Sequence, residues 1–247
     1  VFQSSIINHK ERLKLLKIIN SLSVKYKETF CIAHNLTLTI KLSKELNIQR
    51  NLVKDSHKTI QLWKKVLDDP LTINGLIFSY TDLGLLYSDY NLHSFALNYL
   101  NKAESLLNEC EQSYNPFIKL YVAYGIVYSR QNKYNKSGFY YNEVIKRSKS
   151  KNDTMTLIPI LINTSDEFLK NGEFPKAKKR CKEALLLSKD NNDQIYRPYI
   201  YKILGKINLK LKNNKDAKLY LEKAFNAFKK ISSEKMLSET IYDLGLM

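Results

Sequence analysis

Residues 80–87 read YTDLGLLY, with a small residue, Gly84, at the fifth position of the stretch. The same frame returns as YVAYGIVY at 121–128, LINTSDEF at 161–168 and YKILGKIN at 201–208. Together with Gly245 near the C-terminus, the small residues recur at intervals of 41, 40, 40 and 40. A fixed period of this length is typical of stacked supersecondary units, so the sequence predicts a repeat protein.

A second frame keeps step with the first and predicts a partner helix in each unit. Its members are Ala96, Leu100 and Ala103; Ser137, Tyr141 and Val144; Ala177, Cys181 and Ala184; and Ala217, Leu221 and Ala224. Spacings of four and three place such residues on one helical face, and polar turn-forming residues separate the two frames. Each unit is therefore predicted to be a helical hairpin. Glycine costs about 1 kcal/mol in a helix relative to alanine, so its return implies that the two helices approach closely.

These two frames resemble the tetratricopeptide repeat (TPR), whose signature is W-x2-L-G-x2-Y followed by A-x3-F. Three features depart from that pattern: the unit has 40 residues instead of 34, Tyr or Leu replaces the first Trp, and the closing Pro is absent. Longer units of this kind resemble the repeats of bacterial peptide receptors and of the sensory parts of bacterial regulators. The resemblance implies an all-α, right-handed superhelical solenoid of antiparallel helix pairs, and a binding protein instead of an enzyme.

The repeat predicts a single domain over residues 1–247. Clear units are expected at about 77–117, 118–157, 158–197 and 198–237, a degenerate unit at about 26–67, an incomplete unit at 238–247, and an extra helix at about 4–22. A repeat that stops before its second helix suggests a longer protein, in which further repeats, an output domain or self-association covers the C-terminal end.

The net charge of +16, from 40 Lys and Arg against 24 Asp and Glu, favours an anionic partner. Two explanations stay open, because a Lys-, Asn- and Ile-rich composition also arises from AT-rich coding DNA. The three cysteines form no CxxC pair, the four histidines are scattered, and Gly-rich phosphate loops are absent. We therefore expect no metal, no cofactor, no catalytic residues, no membrane span and a cytoplasmic location.

The resemblance implies that a peptide or protein segment binds along the concave face, which the first helix of each unit lines. The facing positions are Phe78, Thr81, Lys119, Arg130, Asp166, Lys170, Tyr199, Lys202, Lys206 and Lys210. Lys202, Lys206 and Lys210 follow one another at four-residue spacing on one helical face, so they predict a basic wall for an acidic ligand. In the alternative interpretation this face is solvated and Asp166 partly neutralises it. A basic solenoid that binds nucleic acid is the second functional hypothesis.

Overall fold

The computed structural model describes residues 29–45, 51–66, 70–109, 114–190, 195–230 and 233–246, and residues 14, 17, 18 and 21. Eleven helices and no strand lie within these ranges, which confirms the predicted all-α class. The helices are α1 Thr29–Glu45, α2 Leu52–Lys64, α3 Pro70–Asp89, α4 His93–Glu109, α5 Tyr114–Arg130, α6 Tyr134–Ser150, α7 Thr154–Lys170, α8 Phe174–Asp190, α9 Arg197–Lys210, α10 Asn214–Lys230 and α11 Glu234–Gly245. The helix predicted at about 4–22 falls mostly outside the described residues. Within those residues, no helix combines the length and the apolar character that a membrane span requires.

The chain divides into two compact units, Val1–Lys133 and Tyr134–Met247, which we call unit 1 and unit 2. In unit 1, α1 packs on α2 and α3 packs on α4, while α5 packs against both α3 and α4. In unit 2, α7 packs on α8 and α9 packs on α10, and α11 packs against α10. Paired helices therefore build each unit. The single domain and the repeat boundaries expected from the sequence stay predictions.

One small residue on the first helix of a pair faces a larger side chain on the second. A Cβ on Gly84 would lie 2.8 Å from Cδ2 of Leu100, and a Cβ on Gly205 would lie 2.6 Å from Cγ of Leu221. In the α7–α8 pair Ser165 replaces glycine; its hydroxyl donates to the Leu161 carbonyl at 2.6 Å and acts to lower the pKa of the Cys181 thiol on α8. Serine thus faces a side chain smaller than leucine, so the volume at this contact is roughly conserved. Burial raises the pKa of Cys181 to about 11.

The connections that follow α3, α5, α7 and α9 each use one left-handed residue. Its φ is +60° at Asn91, +57° at Asn132, +77° at Gly172 and +56° at Lys212, again at intervals of 41, 40 and 40 residues. The amide of the next residue donates back to a carbonyl of the helix, as from Leu92 to Tyr87 at 2.9 Å. This bond satisfies a helix-terminal carbonyl, as in a Schellman motif.

Alanine substitution at two helical glycines should have opposite effects on stability. Gly205→Ala forces a Cβ against Leu221, and overpacking of this kind costs about 1–3 kcal/mol. Gly138→Ala meets no atom within 4 Å, so it should gain up to about 1 kcal/mol from helix propensity. Urea unfolding of both variants measures the difference. Equal effects at the two positions would contradict the close approach at Gly205.

Glycine at the left-handed position of the α9–α10 connection should stabilise the protein. Lysine there adopts φ +56°, which costs an L-residue with a Cβ about 1 kcal/mol. Lys212→Gly should therefore raise the free energy of unfolding by about 0.5–1 kcal/mol. This net gain is the relief of the left-handed conformation minus the additional backbone entropy that glycine loses on folding. The matched control is Lys218→Gly, an exposed site inside α10, which should lower it by about the same amount. A loss of stability at both positions would contradict this account of the turn.

Candidate ligand-binding groove

Two adjoining cavities lie along the first helices of unit 1. The larger has a volume of about 620 Å³ and is lined by residues of α1, α3 and α5, with Trp63 of α2. The smaller has a volume of about 390 Å³ and lies between α1, α2, α3 and α5. Lys41, Asp82 and Lys119 line both cavities, so the two cavities adjoin one another along this face. We call this space the unit 1 groove.

An aromatic cluster forms the apolar part of the groove. Trp63 is only 2% exposed, yet its indole also lines the larger cavity. The Phe30 ring packs edge-on against it, with centroids 5.4 Å apart, and the indole Nε1 donates to Oγ1 of Thr37 at 3.4 Å. Gly75 gives the indole its space, because a Cβ there would lie 2.7 Å from the ring. The groove thus contains a rigid apolar anchor point.

Two lysines of the groove differ in their pairing within the described residues. Lys119 donates to Oδ2 of Asp82 at 2.7 Å, and its ammonium lies 4.8 Å from the Phe78 ring centroid. Lys41 lines both cavities, is exposed, and forms no ion pair or hydrogen bond within the described ranges. Lys41 is therefore available to an anionic group of a ligand.

One carboxylate connects the three first helices at the other end of this face. Oδ2 of Asp89 on α3 accepts from Lys44 of α1 at 2.5 Å, and Oδ1 pairs with Arg130 of α5 at 2.7 Å. Arg130 also donates to the Ser88 hydroxyl at 3.0 Å. Partial burial acts to raise the pKa of Asp89, but Lys44 and Arg130 outweigh it and hold that pKa below its usual value. Asp89 therefore stays ionised at neutral pH.

The four site residues predicted in unit 1 lie in different surroundings. Phe78 and Lys119 line the larger cavity, and Arg130 belongs to the Asp89 cluster. Thr81 is wrong as a ligand contact: it is fully buried, and its hydroxyl donates to the Ile77 carbonyl at 2.8 Å.

In unit 2 the predicted basic wall is not a free row of lysines. Lys202 is only 8% exposed, and its ammonium pairs with the Glu239 carboxylate of α11. Lys206 also lies within electrostatic range of Glu239 and of Asp243. The chain itself therefore supplies the anionic neighbour of this wall, and Lys202 is a packing residue, contrary to the sequence-based expectation.

The other predicted residues of unit 2 are distributed over separate contacts. Asp166 pairs with Lys170 one turn later, at 2.7 Å, and Tyr199 packs edge-on against Phe228 at a centroid distance of 5.1 Å. Lys210 is exposed at the end of α9. Asp166, Lys170, Tyr199 and Lys210 line none of the described cavities.

Asp243 adds a buried acidic group to the Lys202 contact. It is 7% exposed, and its Oδ2 makes no hydrogen bond with the described residues. Burial raises the pKa of this carboxyl, Lys206 and Lys202 lower it, and Glu239 raises it further, with a net upward shift. The two lysines therefore compensate a local concentration of negative charge.

Helix α1 supplies a part of the groove that the repeat frames in the sequence did not mark. Phe30, His34, Leu38 and Lys41 all line the larger cavity, but the unit at 26–67 lacks the glycine frame that marked the other first helices. The signal was present in the period, since Leu38 and Lys41 stand 40 residues before Phe78 and Thr81.

No protein-family model matches the chain, and no curated protein matches it. Solved structures do. The apo form of RapI aligns with a TM-score of 0.72 and 18% sequence identity over 98% of this chain and 67% of that one. A Signal Transduction ATPase with Numerous Domains from Pyrococcus horikoshii, which has a tetratricopeptide repeat sensor, aligns with a TM-score of 0.70 and 17% identity. The chain has a tetratricopeptide repeat fold.

A third TPR-like structure contains a ligand. NprR in complex with its cognate peptide NprX aligns with a TM-score of 0.65 and 17% identity, over 96% of this chain and 72% of that chain. The alignment with the Pyrococcus protein covers 94% of this chain but only 37% of that one. At these identities the similarity establishes the TPR fold alone.

Charge reversal at Lys202 should destabilise unit 2. Lys202→Glu removes the cation paired with Glu239 and brings a further carboxylate beside Glu239 and Asp243; because the Glu239 side chain is 44% exposed, we expect a loss of about 1–3 kcal/mol. Lys210→Glu is the matched control, since an exposed site changes stability by less than about 0.5 kcal/mol. Thermal and urea unfolding of both variants tests this. Equal stability of the two would mean that the Lys202–Glu239 contact does not hold α11.

Proposed function

We propose that this protein is a non-enzymatic binding module and that the unit 1 groove holds an extended peptide or protein segment. The observation that carries this proposal is that two adjoining cavities, which share three lining residues, lie side by side along three first helices. A compact metabolite would fill one cavity, whereas an extended segment can occupy both. Pockets of this kind combine an apolar lining with a few placed polar groups, as here.

The lining of the groove indicates which ligand chemistry it suits. The cavity of about 620 Å³ beside Trp63 and Phe30 fits a large apolar side chain. Lys41 offers a positive charge that the described residues leave uncompensated. We therefore propose a segment that carries an apolar anchor and an acidic side chain or terminal carboxylate.

We further propose that the chain is the sensory or interaction part of a larger bacterial regulatory protein. Two structural neighbours support this proposal. NprR was solved with its cognate peptide, and the Pyrococcus ATPase has a TPR sensor among numerous domains. Occupancy of the groove could then be passed on through small shifts at the helix–helix interfaces of the stack.

The alternative function, binding of nucleic acid, is favoured by the net charge of +16. Along the first helices of unit 1, nucleic acid would have to compete with carboxylates, because Lys44, Lys119 and Arg130 are already paired there. Salt distinguishes the two functions. Binding to phosphates releases counterions and weakens steeply with salt, whereas a groove with apolar anchors loses much less affinity.

Peptides selected from a random phage-displayed library would test the groove directly. Trp63 is the single tryptophan of the chain and lines the cavity, so its fluorescence should report occupancy. We expect Lys41→Glu to weaken acidic selected peptides about tenfold, because attraction becomes repulsion. The fluorescence titration is repeated at low and physiological salt.

Lys58→Glu is the matched control for this experiment. Lys58 is exposed on α2 and lies outside both cavities, so the affinity should change less than about twofold. Equal weakening by Lys41→Glu and Lys58→Glu would contradict the groove and favour a general charge effect. Binding that leaves the Trp63 emission unchanged would also contradict it.

A further inference from the structure

Unit 2 contains a cavity that the proposed peptide groove does not use. It has a volume of about 400 Å³ and lies between the N-terminal halves of α6 and α8, over the end of α7. Two contacts connect α6 with α8 beyond the cavity: Arg180 donates to Oδ1 of Asn142 at 3.3 Å, and Lys149 pairs with Glu183 at 2.5 Å. We call this space the α6–α8 cavity.

Aromatic rings and carboxylates line the α6–α8 cavity together. The Phe139 side chain lines it while remaining 60% exposed, and Phe168 contributes a second ring from α7. Glu167 is only 6% exposed and accepts a hydrogen bond from the Ser137 hydroxyl at 2.5 Å. Glu173 accepts from the side chain of Asn171 at 2.8 Å. The lining is therefore locally acidic in a chain whose net charge is +16.

A cation of the chain already uses part of this lining. The ammonium of Lys176 lies 5.6 Å from the Phe168 ring centroid and pairs with the Glu173 carboxylate. Lys176 itself remains largely exposed, with 65% of its side chain accessible. The cavity thus provides a ring face and a carboxylate in the arrangement that a second, incoming cation would need.

Gly138 gives an independent indication that the cavity is kept open. Glycine inside a helix costs about 1 kcal/mol relative to alanine, and Gly75, Gly84 and Gly205 each compensate by close packing. A Cβ at Gly138 would meet no atom within 4 Å, so packing does not explain this glycine. Gly138 lines the cavity, and a larger side chain there would occupy its space.

We propose that the α6–α8 cavity binds a cationic side chain, Lys or Arg, from a segment of a partner protein. The ammonium or guanidinium lies against the rings of Phe139 and Phe168 and pairs with the carboxylates of Glu167 and Glu173. Asn135 and Asn142 also line the cavity, and their amides can hydrogen-bond with the backbone of such a segment. The α6–α8 cavity thus takes a positively charged group, whereas the unit 1 groove is proposed to take a negatively charged one.

The probe is a blocked tripeptide with arginine between two alanines, and the matched control peptide has glutamine in place of arginine. Both are titrated into the ¹⁵N-labelled full chain and followed by NMR. We expect saturable shifts of the Gly138 amide and of the Asn135 and Asn142 side-chain amides with arginine, at a dissociation constant on the order of 1–10 mM. Glutamine should give no saturable shift.

Two variants make the test specific to this cavity. Gly138→Leu should abolish the shifts of the Asn135 and Asn142 side-chain amides, because its side chain occupies the cavity, and should retain the thermal midpoint, because a Cβ there meets no atom within 4 Å. Lys176→Ala removes the competing cation and should tighten arginine-peptide binding about twofold to fivefold.

Three outcomes would overturn the proposal: equal shifts with the glutamine peptide, unchanged binding by Gly138→Leu, or weaker binding by Lys176→Ala. Lys41→Glu should leave the titration unaltered, so the failure of this site and the failure of the unit 1 groove give different results.

Discussion

The distance between the two helices of a hairpin is the constraint on which the rest of the structure depends. Where glycine stands on the first helix, at Gly84 and Gly205, a leucine from the second helix fills the space that its missing Cβ leaves. Where Ser165 stands instead, the partner is the smaller Cys181. The two positions therefore vary together in volume, as expected of a close-packed contact. Because this contact occupies one face of each first helix, another face stays available to line a groove.

The geometry of that groove is held by polar contacts that add little to stability. Lys44, Asp89 and Arg130 keep between 28% and 51% of their side chains exposed, and exposed ion pairs contribute about 0.2–1 kcal/mol each. Their effect is positional, since one carboxylate on α3 orients side chains from α1 and α5. A ligand that enters a preorganised groove loses less free energy to ordering.

The sequence was sufficient to predict the hairpins, because periodic glycines and turn residues report contacts within a repeat. It was insufficient for side chains that face the neighbouring repeat. Thr81 and Lys202 occupy the same phase and are both buried, whereas Lys41, one period before Thr81, is exposed, so the phase alone does not determine burial. Glu239, the partner of Lys202, lies 37 residues further on, an offset that a strict period of 40 does not identify. Lys41 was missed for another reason, since its unit lacks the glycine frame.

The net charge of +16 acts differently from the local charges at the two proposed sites. Excess lysine on second helices, such as Lys179 and Lys182 of α8, contributes a long-range field that attracts anionic and repels cationic ligands. At physiological ionic strength this field is screened beyond about 8 Å. The ring–cation contact at Lys176 spans 5.6 Å and is therefore screened less. A cationic side chain can thus bind the α6–α8 cavity of a strongly basic protein, because salt weakens the distant repulsion more than the close attraction.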